Sequence, residues 1–163
     1  MSATAGAVLS EDGTYRYHLW RQWGPDGCER VVFVMLNPST ADATVDDPTI
    51  RRCIGFARRE GMDRLDVVNL YAYRATNPDD LLVAPDPVGP ENYWHLQRVI
   101  HAAPMVVAAW GAWRDSRRDC PPMPNVLAIA GHMHCLGTTK SGAPRHPLYV
   151  KGDQPFIPYR SGS

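Results

Sequence analysis

Residues 30–42 read RVVFVMLNPSTAD. After Arg30 the run Val31–Leu36 is apolar at every position, the pattern of a strand covered on both faces rather than one with a wet side. It ends abruptly at Asn37-Pro38, where the proline fixes the chain and keeps the asparagine out of helical geometry. A strand buried on both faces needs a crossover helix to reach a parallel neighbour. Asp47-Pro48 supplies its start, an N-cap followed by proline at the first helical position. Ile50, Cys53, Ile54, Phe56 and Ala57 then lie on one face through Arg59, and Gly61 stops the helix.

The same alternation continues outward. Residues 64–70 (RLDVVNL) read as a second central strand, and a Pro-rich stretch at 77–89 leads to a helix from about Pro90 to Ala103. Strands are expected at 105–110 (MVVAAW) and 125–130 (NVLAIA), separated by a short Arg-rich helix near 112–118. Upstream, 14–23 (TYRYHLWRQW) alternates, and the turn Gly24-Pro25-Asp26-Gly27 suggests a hairpin with 30–36. The expected fold is therefore α/β: a three-layer α/β/α sandwich around a mostly parallel four-stranded sheet, with an N-terminal β-hairpin. One domain is expected over 1–163, with an ordered core at about 14–158.

Composition narrows the function classes. The chain has 163 residues, is 44% hydrophobic, and balances 17 Lys and Arg against 17 Asp and Glu. That neutrality argues against a uniformly basic nucleic-acid face, though not against a basic rim around one cleft. No apolar run has membrane-spanning length, and the start MSATAG lacks a secretory pattern, so a cytoplasmic protein without membrane partners is expected. Cys28, Cys53, Cys120 and Cys135 form no C-x-x-C pair and read as reduced thiols. His132-Met133-His134-Cys135 does not have zinc-ligand spacing, so no metal is expected.

In parallel α/β sheets, ligands bind beyond the carboxyl ends of the strands. Polar segments stand at all four expected ends: Asn37–Asp42, Asn69–Arg74, Trp110–Trp113 and His132–Leu148. Asn37 offers one acceptor and two donors from a rigid mount, and Ser39 and Thr40 can orient a water or cradle an oxyanion. The competing reading is a turn that merely caps the next helix. Asn69 can pair with a base edge through one donor and one acceptor, and Tyr71 or Tyr73 can stack on that base. Alternatively Asn69 bonds a neighbouring loop. Lys140, Arg145 and His146 concentrate positive charge in a loop punctuated by glycines and prolines, which can approach phosphates.

Taken together, the four segments resemble the uracil-DNA glycosylase superfamily. MLNPS at 35–39 is similar to its G-I-N-P-G motif, Asn69 to its base-reading asparagine, Trp110-Gly111 to its W-G pair, and His146-Pro147-Leu148-Tyr149 to its H-P-S-P-L-S loop. NPSTAD, DDPT, VNLYAYR, AWG and K-x-G-x-P-x-H-P-L-Y more closely resemble an uncharacterised bacterial and phage family over about 15–150.

The superfamily resemblance implies a glycosylase-like fold and an N-glycosidase that hydrolyses a base–sugar bond in DNA or in a nucleotide. A DNA base would first have to be flipped from its stack. The catalytic set would be Asn37, Asp42 and His146, with Leu148 in the loop that enters a duplex. Asp42 or Asp46 stands in for the missing acidic residue of the G-Q-D-P-Y-H branch. Pro38, Ser39, Asn69, Tyr71 and Trp110 would hold the base, and Thr40, Arg74, Lys140 and Arg145 the phosphate. Some members carry an iron–sulfur cluster on four cysteines, but Cys28 and Cys53 lie too far apart to imitate the early pair. No cofactor is expected. The rival is a non-catalytic module that binds nucleotide or nucleic acid in the same pocket. A third, blander option is a structural or interaction protein whose cleft is incidental.

Overall fold

The apolar run after Arg30 forms the central strand of a sheet covered on both faces. The computed structural model describes residues 3–160. Seven strands form the sheet: β1 (Thr4–Leu9), β2 (Arg16–Gln22), β3 (Arg30–Met35), β4 (Arg64–Asn69), β5 (Met105–Ala108), β6 (Met133–Cys135) and β7 (Ile157–Tyr159). Their order is β1-β2-β4-β3-β5-β6-β7. β3 runs parallel to β4 and β5, and β5 parallel to β6; β1–β2, β2–β4 and β6–β7 are antiparallel. The sheet is thus seven-stranded and mixed, larger than the four strands expected.

Alternate residues of β3 serve opposite layers. Val31, Phe33 and Met35 pack with Ile50, Cys53, Phe56 and Ala57 of α1 (Pro48–Arg59). Val32 and Val34 pack with Leu96, Val99 and Ile100 of α2 (Asn92–His101) and with Val126 of α3 (Val126–Ala130). Burying each large side chain contributes about 1.5–3 kcal/mol, which is why propensity alone does not place these helices. α1 begins as its sequence signals: Asp47 accepts the Ile50 amide at 2.8 Å, and Pro48 stands at the start. Among the described residues no helix is long and apolar enough to cross a membrane.

Three expected elements differ. NVLAIA is a helix, not a strand: the Asn125 side chain accepts the Ala128 amide, and Gly131, at φ 79°, ends the helix. A short apolar run has no period by which to tell the two apart. The strand that follows β5 in the parallel set is β6, two residues further on. The expected hairpin of 14–23 with 30–36 also does not form, because β2 pairs with β1 and β4 instead. The helix near 112–118 is a 3-10 turn, Trp113–Ser116.

One irregularity positions the site. Val8 faces His18 but Leu9 faces Arg16, so Tyr17 is an extra residue on β2. Tyr17 stacks on His95 of α2 and His18 bonds Asp66, both on the α2 side, while Leu19 belongs to the α1 side. The bulge therefore resets the alternation and swings Arg16 to the α1 side.

Candidate active site

β3 and β5 are neighbours whose chains leave in opposite directions, one through α1 to β4 and the other toward β6. Such a reversal opens a crevice beyond the strand ends. A cleft of about 440 Å³ lies there, lined by Asn37 after β3, Asn69 at the end of β4, Trp110 and Gly111 after β5, and the first turn of α1.

Asn69 is 1% exposed, and neither its amide nitrogen nor its oxygen has a hydrogen-bond partner. Its backbone is fixed from the far side: Asn92 of α2 donates to the carbonyls of Asn69 (3.0 Å) and Leu70 (3.2 Å), and the Leu70 amide bonds Met35. Asn37 is held differently. Its Nδ2 donates to the carbonyls of Ala75 (2.8 Å) and Pro38 (3.1 Å), and no bond occupies Oδ1. The side chain is oriented by its donor end and offers an acceptor.

His146 reaches the cleft on a return loop. Its Nδ1 accepts the Leu148 amide at 3.2 Å, so the proton of the neutral ring sits on Nε2. Burial pushes its pKa below the ordinary 6.5, with Asp47 pulling the other way. α1 fixes this loop, since Arg52 donates to the carbonyls of Pro147 and Val150. Gly111, at φ 74°, donates to Pro144 and would bring a Cβ within 3.5 Å of His146, so the W-G turn packs against the same loop.

Asn37, Ser39, Asn69, Trp110 and His146 come together, and Leu148 stands at the rim, 43% exposed. The other expected site residues are not brought to the cleft. Asp42 is turned into its own loop, where its Oδ1 accepts the amides of Thr44 and Val45; these bonds lower its pKa. Pro38 is buried and Thr40 is exposed. Tyr71 is fully buried in the opposite core, its hydroxyl donating to Pro121 at 2.6 Å and accepting from Arg114. It has no face for a base; Trp113 and the 78% exposed Tyr149 line the cleft instead. Arg74 reaches toward the Ser39 carbonyl, Arg145 bonds the Thr138 carbonyl, and Lys140 is an exposed turn residue.

Two cleft residues escaped the sequence reading. Asp47, by its sequence a helix cap, is the one acidic residue lining the cleft among those described. Arg16 is 2% exposed with its Nε unpartnered; Nη1 donates to the Ala41 carbonyl at 3.0 Å. Burial lowers its pKa to about 10, partly offset by Asp47, and it stays cationic at neutral pH. Its alternation in an unbroken strand points it to the wrong face, so nothing local signals its place.

A family model described as "Protein of unknown function (DUF1643)" matches residues 16–148. The chain belongs to this family. No curated protein and no solved structure matches it significantly. The DUF1643 span opens on Arg16 and closes on Leu148, so it holds every cleft-lining residue except Tyr149. The edge strands β1 and β7 lie outside it. Of the four buried side-chain atoms without partners among the described residues, three belong to the cleft: Arg16 Nε and both amide atoms of Asn69.

Proposed function

We propose that the cleft binds a nucleobase and hydrolyses its N-glycosidic bond to a sugar, in a nucleotide or in DNA. The observation that carries this reading is the Asn69 carboxamide, buried with donor and acceptor both open. Leaving such a group unpaired costs about 1–3 kcal/mol, which a ligand edge bearing one acceptor and one donor relieves. A base edge is such a partner. The finer fold reading, a glycosylase-like variant of the α/β sandwich, belongs to the same proposal and rests on the placement of polar segments at the strand ends.

The chemistry follows from the remaining groups. Water attacks C1′ as the C1′–N bond breaks, and the bonding electron pair leaves with the base. Asn37 Oδ1 accepts a hydrogen bond from that water, and the Asp47 carboxylate takes its proton. Before that transfer the same carboxylate stabilises the cationic sugar carbon in the transition state. His146 donates from Nε2 to the departing base, dispersing its charge without titrating.

The test offers folded protein the common nucleosides, their monophosphates, and DNA carrying uracil, hypoxanthine or hydroxymethyluracil, with base release followed by chromatography. Release from one class, abolished by Asn37→Ala with binding retained, supports the reading. Binding without turnover leaves only the recognition half standing. Absence of both release and binding across the panel overturns the whole.

A further inference from the structure

Arg16 is the only lysine or arginine lining the cleft among the described residues. It takes part in none of the ion pairs found there. Asp47 is near enough to act on it electrostatically, but its Oδ1 is already engaged by the Ile50 amide at 2.8 Å. A guanidinium taken out of water without an ion pair is costly, and an anion bound beside it offsets that cost. With Nη1 held by Ala41, the open Nε lies on the side-on edge of the fork, the edge that grips two oxygens of one anion. The first turn of the twelve-residue helix α1 adjoins it, with Thr49 and Ile50 lining the cleft. Helix N-termini favour anions for the same electrostatic reason.

The setting also limits how many phosphates the protein can hold. Arg74, Lys140 and Arg145 lie outside the cleft, and the formal net charge is +0. A duplex contacts a protein through a series of phosphates at the rim, each continuing in two directions. An arginine at 2% exposure suits a phosphate that enters the cleft with its base, as a terminal one can. We propose that the cleft is built for a free nucleoside monophosphate, its phosphate on Arg16 at the start of α1 and its base on Asn69. This inference rests on the nucleobase reading above and names its substrate class. The volume of about 440 Å³ lies within the range of roughly 300–1,000 Å³ usual for small-molecule sites.

Calorimetric titration of the wild-type chain with nucleosides, their 5′- and 3′-monophosphates, inorganic phosphate and a 5′-phosphorylated single strand tests it. One monophosphate is expected to bind roughly ten- to a hundredfold tighter than its nucleoside. Inorganic phosphate should compete with the monophosphate and not with the nucleoside. Arg16→Met should erase the difference while sparing nucleoside affinity. Arg16→Lys, which keeps charge but not the fork, should recover only part of it. Should Arg16→Met fail to fold once Ala41 loses its partner, the wild-type series and Arg16→Lys decide. Equal affinity for nucleoside and monophosphate overturns the inference and leaves the nucleobase reading intact. A phosphorylated strand that binds as tightly as the mononucleotide overturns it as well. Phosphate binding with no nucleoside affinity overturns the nucleobase reading, and the nucleotide assignment falls with it.

Discussion

An asparagine with both amide atoms buried and unpaired is a defect for folding, and the defect has a measurable sign. Leucine has nearly the same shape as asparagine and nothing to desolvate. Asn69→Leu is therefore expected to raise unfolding stability by about 1–3 kcal/mol in urea titrations while losing nucleobase affinity. A loss of stability would mean that Asn69 has partners in the folded chain, and the binding argument would fail with it. His146 makes a second prediction at this scale. Its lowered pKa leaves the ring mostly neutral at pH 6.5, where a free imidazole is half protonated, so the midpoint of any acid decline in turnover should lie below that pH. Protonation would force a charge onto Nδ1, which now accepts from Leu148. A pH profile already falling at 7 would contradict this, and His146→Gln, which keeps a donor that does not titrate, should flatten the acid limb.

At the scale of elements, α1 is both scaffold and site, and Asp47 belongs to each. Asp47→Ala removes a helix cap and is expected to cost about 1 kcal/mol. Asp47→Asn keeps the cap, because its Oδ1 still accepts the Ile50 amide, yet removes the carboxylate's charge. Stability close to wild type with turnover lost in Asp47→Asn separates the two roles; wild-type turnover in Asp47→Asn would reduce Asp47 to a cap.

The same helix shows why sequence was informative in some places and silent in others. Its limits are written locally, in Asp47-Pro48 and Gly61, so they could be read. Asn37, Asn69 and Trp110 follow apolar strands, and the rule about strand ends located them. NVLAIA carried no period, and its cap at Asn125 outweighed its β-forming residues. Arg16 depends on an extra residue opposite Leu9, a register fact that arises only when β1 and β2 meet. Asp47 was legible as a residue, but its cap role concealed a second one.

Across the whole molecule, the few buried charges, Arg16, Arg21 and Asp66, are each used inside the fold. Arg21 bonds the carbonyls of Asp42 and Val45 and the Asp46 carboxylate, tying the loop before α1 to β2. On the α2 side Asp66 is fully buried. Burial alone would raise its pKa, but bonds from His18 at 2.7 Å and Arg64 at 2.9 Å outweigh that and keep it ionised. With His18 donating from Nε2, its Nδ1 faces the Arg98 guanidinium at 3.3 Å, and His95 Nδ1 faces the same group at 3.2 Å. Neither ring can take a second proton without losing that bond and meeting a cation. Burial first, then Arg98, lowers His95 to about 4, and burial lowers His18 and His146 against the pull of Asp66 and Asp47. Between the ordinary 6.5 and these lower values, the unfolded chain binds protons that the folded chain refuses. Stability should therefore be full above pH 6.5 and fall steadily as the pH drops toward 4. His95→Gln should make that fall shallower in denaturant titrations across the same range. A stability curve flat through this window would show that these histidines are protonated in the folded state, and would remove the reason for assigning His146 a neutral ring.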